Sequence, residues 1–253
     1  MRFSPDGKRI AFVSHRSGNP EIWVGGRDAS GLQQITSLRA TQLVVGGWSP
    51  DGANIVFDAA IAGNSDVYVV RSDGGSARRL TSEPSTDGIP SWSSDGRWIY
   101  FSSTRAGVIA DVWRMSAEGG EATRITRNGG FGPKESPDGK FLFYLDHYPG
   151  LNRPTKLMRG AVDGGQESVV LERVRPFLWS VTESGIVFVT READFDAIDS
   201  YRFSDQRVTR VGRLGFRIPG TFTHMTVSHD GRWALATEMV RFDSDLMLLD
   251  NFR

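Results

Sequence analysis

Apolar residues in this chain do not recur at helical intervals; they gather in short runs cut by polar, glycine-bearing turns. Lys8 to Ser14 reads KRIAFVS, with β-branched, aromatic and small residues packed together, as expected of a strand covered on both faces. The turn before it, Ser4-Pro5-Asp6-Gly7, is a hairpin signal. Pro5 pre-sets φ for a type I turn, Ser4 can bond the turn backbone, and Gly7 accepts the left-handed conformation that ends it.

Copies of this phrase return at 49–52 (SPDG), 93–96 (SSDG), 136–139 (SPDG), 182–185 (TESG) and 228–231 (SHDG), so that Gly7, Gly52, Gly96, Gly139, Gly185 and Gly231 mark a nearly constant interval. A period of about 40–45 residues predicts propeller blades of four strands. A second landmark keeps the same register. An acidic residue opens the third strand at the same distance from the turn glycine in four units, at Glu21, Asp66, Asp199 and Asp245. Asp111 comes one place late, and in the fourth unit Lys156 stands instead of an acid, three places late. Glycine turns at 73–75, 118–120 and 163–165 lead into short fourth strands, RRLT at 78–81, TRIT at 123–126 and SVVL at 168–171.

The pattern therefore predicts an all-β fold, a six-bladed antiparallel β-propeller with incomplete first and last blades. It forms a single domain over 1–253, with units at about 1–40, 41–84, 85–128, 129–173, 174–218 and 219–253. Trp48, Trp92, Ile10, Phe12, Ile55, Phe57, Ile99, Phe101, Leu142 and Tyr144 are expected between blades. Only Met1, Arg2 and Phe3 precede the first turn and only Asn251, Phe252 and Arg253 follow Asp250, so a fragment of a longer protein is expected, with a three-stranded last blade and an exposed edge at 246–250.

The F/W-S-P-D-G-x-x-I-A-F openings, the acid-I/V-W/Y third strands and the closing R-x-I/L-T resemble the TolB-like propeller repeat, a relative in shape of the WD-type repeat. The resemblance is strong in the first four units and weak in the fifth. It implies a binding scaffold with a protein or peptide partner, in the periplasm if the role is TolB-like. Similar propellers also serve as gating domains of prolyl oligopeptidase-type enzymes, as polysaccharide lyases and as sensor ends of bacterial regulators, which would place the chain in the cytoplasm. Fold and function have to be argued separately.

Composition narrows the function. Thirty basic residues balance thirty acidic ones, which gives no counterion-driven grip on nucleic acid. No apolar run approaches a membrane span, so no membrane insertion is expected. There is no cysteine for thiolate chemistry or disulfides. Nucleophile-elbow, zinc-protease, P-loop and EF-hand motifs are absent, so neither a catalytic residue nor a cofactor is expected, and the chain is taken as a monomer with association possible through its edge.

The remaining candidates lie on loops. His15 and His147 occupy the same place relative to their turn glycines, Gly7 and Gly139, but on facing blades they stand too far apart to share a metal, so no metal site is expected. His224 and His229 are taken as structural or solvated. The loop 145–156, LDHYPGLNRPTK, is longer than its siblings and concentrates Asp146, His147, Tyr148, Asn152 and Arg153. With Arg16, Arg105, Arg127, Arg175, Glu192, Asp194, Arg217 and Arg241 it would form a rim rich in arginine, suited to carboxylates or a peptide. Arg16, Arg105, Asp146, His147, Tyr148, Arg153 and Arg241 are the candidate ligand-binding residues. Glu135 stands where sibling units carry an aromatic or valine, and is expected to pair with Lys134, Lys140 or an arginine. Two alternatives to a binding scaffold stay open. One is a carbohydrate-active lyase or hydrolase using His147, Tyr148 and Arg153; the other is the sensory C-terminal domain of a transcriptional regulator or kinase.

Overall fold

The computed structural model describes residues 1–61, 63–147, 155–218, 224–239 and 244–249, with the backbone alone for 237–239 and 244–249. Among these residues the strands form six antiparallel sheets. The first carries β1 (Arg2–Phe3), β2 (Arg9–Ser14), β3 (Glu21–Gly26) and β4 (Gln33–Gln34), and the second β5 (Gln42–Trp48), β6 (Asn54–Ala60), β7 (Ser65–Arg71) and β8 (Arg78–Arg79). The third holds β9 (Asp87–Trp92), β10 (Trp98–Ser103), β11 (Asp111–Ser116) and β12 (Thr123–Arg124). The fourth holds β13 (Phe131–Glu135), β14 (Phe141–Leu145), β15 (Thr155–Ala161) and β16 (Ser168–Val174). The fifth is β17 (Trp179–Val181), β18 (Gly185–Arg191), β19 (Asp196–Arg202) and β20 (Val208–Arg213), and the last β21 (Met225–Val227), β22 (Ala234–Met239) and β23 (Ser244–Leu249).

The fold is an antiparallel β-propeller, but the expected count of six blades is corrected. Five sheets are four-stranded blades, and the last repeat forms a three-stranded sheet among the described residues. The first blade has four strands, but its innermost is clipped, as expected: only Arg2 and Phe3 pair, with Ala11 and Ile10, where β5 of the second blade runs over Gln42–Trp48. Among the described residues no helix is long and apolar enough to cross a membrane.

The chain divides into two compact units, Met1–Tyr148 with Met158–Ser168, and Pro149–Leu157 with Val169–Arg253. In the first unit the two-residue period of a strand sends alternate side chains to opposite neighbours. Ile55 and Phe57 of β6 join Ala11, Ile22 and Val24 of the first blade, while Val56 between them joins Ile99 and Phe101 of the third. Tyr100, between those two, packs with Leu142 and Tyr144 of the fourth. Both faces of these strands are therefore core, which is why the runs are continuously apolar. Of the side chains expected between blades, Trp92 alone is half-buried and the rest are buried. In the second unit Leu178, Val187 and Ile198 pack with Ile218, Met225, Val227 and Ala236.

Five of the six turns are held in one way. At the first, the Gly7 amide donates to the Ser4 carbonyl at 2.9 Å, the Ser4 hydroxyl donates to Asp6 Oδ1 at 2.6 Å and accepts from the Arg9 amide at 2.9 Å, and Gly7 sits at φ 68. The same serine-to-aspartate bond recurs at Ser49, Ser93, Ser136 and Ser228. The fifth turn differs. The Thr182 amide donates to the Gly185 carbonyl, as that of Ser4 does to the Arg9 carbonyl, so Gly185 matches Arg9 and the turn is shorter. Glycine is needed there for another reason: an added Cβ would lie 2.0 Å from the Tyr201 carbonyl oxygen.

Candidate functional site

Among the described side chains, the recurring acids of the third strands are structural. Glu21 accepts from the Thr36 hydroxyl at 2.6 Å and from the Leu38 and Arg39 amides, which ties the outgoing loop to its blade. Asp66 holds Arg79 at 2.6 Å, and Asp111 holds Arg124 at 2.7 Å and the Gly129 amide. Thr81 and Thr126, from the R-x-I/L-T endings, accept from the Val67 and Val112 amides.

Arg16 and Arg105 occupy matching places in the first and third blades, each shortly after a phenylalanine and a serine of the second strand. Arg16 lies over the rings of Phe12 at 5.6 Å and Trp23 at 4.9 Å, and its Nε donates to Ser14 Oγ at 3.0 Å. Arg105 lies over Phe101 at 5.3 Å and Trp113 at 5.0 Å, with Nε donating to Ser103 Oγ at 3.0 Å. They differ in what the remaining guanidinium edge meets. Arg105 Nη2 donates to Asp87 Oδ2 at 2.5 Å, and the Asp87 side chain is fully buried. Arg105 is therefore consumed inside its own blade. Arg16 is exposed and makes no ion pair among the described residues. Ile61, the second blade's equivalent of these arginines, is also exposed, and so are Val108 and Ile109 on the loop after Arg105.

Most of the arginine rim expected in the second unit is likewise committed. Asp196, fully buried, accepts from Arg175 and Arg191 and from the Ile218 amide at 2.7 Å; burial opposes its ionisation, but Arg191 and Ile218 hold its carboxyl below the usual range. Arg217 donates to the backbone carbonyls of Ala193 and Asp194. Glu192 holds Arg210, which also binds Asp199. Arg127 is exposed.

In the fourth blade His147 Nδ1 lies 2.8 Å from Asp146 Oδ1, and its Nε2 is buried without a hydrogen bond to a described residue. Tyr148, Asn152, Arg153 and Arg241 lie outside the described residues. His15 is exposed, His229 lies 3.4 Å from Glu183, and His224 packs on Phe177 at 5.0 Å. No group of three His, Cys, Asp or Glu side chains that could hold a metal occurs among the described residues. Among the described residues Glu135 does not take the expected basic partner. Its Oε1 accepts from the Ser94 hydroxyl at 2.7 Å and the Ser94 amide at 3.2 Å, because the turn of the preceding blade packs against it. Burial and then the Glu135 carboxylate push the Tyr100 phenol well up.

The family model of the TolB beta propeller domain matches residues 1–199. The chain belongs to this family. A solved putative TolB of Agrobacterium tumefaciens superposes with TM-score 0.70 at 22% identity, over 98% of this chain and 87% of that one. TolB of Acinetobacter baumannii gives TM-score 0.72 at 22% identity, over 85% of this chain and 53% of that one. An uncharacterized protein of Agrobacterium fabrum is 34% identical over 92 residues, 33% of this chain and 30% of that protein. The chain thus spans about half of the Acinetobacter TolB and under a third of that Agrobacterium relative. An oligogalacturonate lyase of Vibrio parahaemolyticus shares the fold at 14% identity, with TM-score 0.65 over 98% of this chain and 73% of that one.

Sequence patterns of this TolB-type propeller did not disclose Asp87 or Asp196. Asp87 lies on an inner strand, outside the repeated motif, and reading TESG in the register of the other turns placed the expected acid at Asp199 instead of Asp196. Asp58 was missed as well. The innermost strands β9 and β13 carry bulges that orphan an amide, and the preceding blade supplies the acceptor: Asp58 Oδ1 for the Ile89 amide at 2.8 Å, Ser102 Oγ for that of Gly132 at 2.9 Å. Burial pushes the Asp58 carboxyl up to about 7. On the inner strands β1 and β13, burial lowers Arg2 to about 10, and burial together with the Arg2 charge lowers Lys134 well below the usual amine range.

Proposed function

We propose that this chain is a non-enzymatic binding domain whose loops between second and third strands dock a protein or peptide partner. One observation carries the proposal: Ile61, Val108 and Ile109, exposed by 42%, 101% and 63%, all stand on those loops, within the unit that also presents Arg16. Exposed aliphatic anchors and a ring-stacked arginine, all on loops of this kind, have the composition of an interface centre. Membership of the TolB family supports the scaffold role. Display selection of random peptides on the wild-type chain should enrich binders that lose about tenfold or more in affinity on a Val108→Asp/Ile109→Asp variant. Absence of enrichment, or binders indifferent to that variant, would defeat the proposal.

A second possibility, a carbohydrate lyase or hydrolase, draws on the Asp146–His147 contact at 2.8 Å, since a carboxylate that orients an imidazole is the arrangement of a general base. Turnover of an oligogalacturonide substrate that disappears in His147→Gln would establish it. Absence of turnover by the wild-type chain would remove it.

A further inference from the structure

The innermost strands β9 and β13 carry the same bulge, but different chemistry holds the two. In the fourth blade the bulge begins at Gly132, a glycine at φ 64, whose amide donates to the neutral hydroxyl of Ser102 at 2.9 Å. In the third blade the matching residue is Ile89, β-branched and followed by Pro90, yet it stands at φ 50 with its amide on Asp58 Oδ1 at 2.8 Å. A β-branched residue keeps a left-handed backbone only where its surroundings impose it. The other oxygen of the same carboxyl, Oδ2, lies 3.0 Å from the Ser65 hydroxyl at the start of β7. Among the described residues no charge answers Asp58. Its strand packs against β5, β7 and β9. β5 has no charged residue; on β7 Asp66 is held by Arg79 and Arg71 by Asp73, and on β9 Asp87 is held by Arg105. Burial therefore raises the Asp58 carboxyl to about 7, against the bonds from Ile89 and Ser65.

The elements that Asp58 joins are also the roots of the docking loops. Asn64, on the loop that carries Ile61, donates to the carbonyls of Glu83 and Ser85 at 2.9 and 2.6 Å, on the chain that enters β9. The next residues grip the other loop. The Thr86 amide donates to Thr104 Oγ1 at 3.1 Å, the Thr104 amide donates to the Thr86 carbonyl, and Asp87 holds Arg105, three residues before Val108. We propose that Asp58 is a proton-operated latch on these loops: protonated, it locks the β9 bulge to β7, and on losing its proton it releases the chain at 83–89 that anchors both loops. This deepens the docking reading above and rests on it for what the loops bind. The direction follows from linkage. A carboxyl whose value is raised in the closed interface favours closure fully below its ordinary value, about pH 4, and that help is lost as pH rises to about 7. Opening hydrates the charge, so within that window each pH unit multiplies the open population about tenfold. Gly132, tied to a hydroxyl, has no such dependence.

Amide hydrogen exchange of the full chain, followed residue by residue from about pH 5 to about pH 7 and corrected for intrinsic rates, tests the latch. Protection of the Ile89 amide should fall about a hundredfold over that range in the wild-type chain and stay level in Asp58→Asn, while that of Gly132 stays level in both. A level Ile89 profile in the wild-type chain, the same slope in Asp58→Asn, or an equal fall at Gly132 would overturn the latch. Should Asp58→Asn fail to fold, the ¹³C titration of the Asp58 carboxyl in the wild-type chain decides, since a midpoint at the ordinary carboxyl value overturns the latch and a midpoint at about 7 supports it. Peptides selected on the loops, added at about a hundred times their Kd near pH 7, should raise Ile89 protection about a hundredfold because they bind the closed form. Bound peptides that leave Ile89 unmoved would overturn the coupling of latch to loops. A pH-dependent Ile89 with no peptide selected would support the latch and sink the docking reading.

Discussion

Two identical side chains in matching positions can have opposite energetic weights, and Arg16 and Arg105 illustrate why. Arg105→Ala would strand the buried Asp87 carboxylate with little beyond the Ser85 hydroxyl at 3.3 Å, at a cost of about 3–5 kcal/mol. Arg16→Ala leaves no buried charge behind and is expected to change stability by less than ~0.5 kcal/mol. Chemical denaturation of the two variants checks the contrast, and equal midpoints would contradict it. Asp58 makes a separate point about pH. Its folded carboxyl titrates at about 7, above the ordinary value, because burial outweighs the bonds from Ile89 and Ser65. The folded state then holds a proton that the unfolded state releases, so the stability it favours is full at acid pH and is lost as pH rises through about 7. Asp58→Asn keeps an acceptor for the Ile89 amide without the charge. Its melting temperature should overtake that of the parent by several degrees at about pH 8, a gain of ~2–4 kcal/mol at most, and the gap should close toward about pH 4. A gap independent of pH would show that Asp58 does not titrate as stated.

Among the elements, the serine–aspartate turn is the device on which the hairpins depend. Ser49 is buried, donates to Asp51 and accepts from the Asn54 amide at 2.9 Å, so Ser49→Ala leaves that amide without its partner. The loss should cost about 1–2 kcal/mol, read as a lowered denaturation midpoint. The turn aspartates titrate low because the serine hydroxyl, and then the following backbone amide, hold the charged form; Asp95 falls to about 2. A carboxyl with a depressed folded value gives stability above its unfolded value that is lost as pH falls through the folded one. Thermal stability should therefore drop between about pH 4 and pH 2, and Asp95→Asn should flatten that drop. These turns were legible in the sequence because every group that holds them is a near neighbour along the chain. The four-stranded blade was legible for a related reason, through its long and regular period. What depends on a neighbouring blade was not legible. Glu135 could be seen to need a partner, but Ser94 became that partner only when adjacent blades packed. The fifth turn hid its shift of register because TESG still ends in glycine, although Gly185 takes an ordinary φ and is there to let the Tyr201 carbonyl approach. The arginine rim looked open in sequence because charge alone does not say which guanidinium a buried carboxylate has already claimed.

At the scale of the whole chain, blades within a unit exchange apolar contacts with their neighbours in sequence, in the manner of repeat proteins whose stability is a sum of repeats and interfaces. Phe57 serves the interface of the first and second blades and Val56 that of the second and third, so damage at one interface has a short reach. The second unit has its own cluster around Leu178, Ile198, Ile218 and Met225. Leu178 is 1% exposed, and Leu178→Ala should cost about 2–5 kcal/mol through the cavity it leaves. If nearest-neighbour contacts govern the molecule, amide exchange in β17 to β19 and β21 should accelerate by roughly two to three orders of magnitude, as that cost implies, whereas β6, β7 and β10 should keep their protection. Acceleration of equal size in both sets would mean that the propeller opens as one cooperative body. That outcome would change how a docked partner acts on the molecule. In a cooperative body, a partner docked on the loops that bear Val108 and Ile109 would stabilise every strand, while in a nearest-neighbour chain its protection would be confined to the blades it touches.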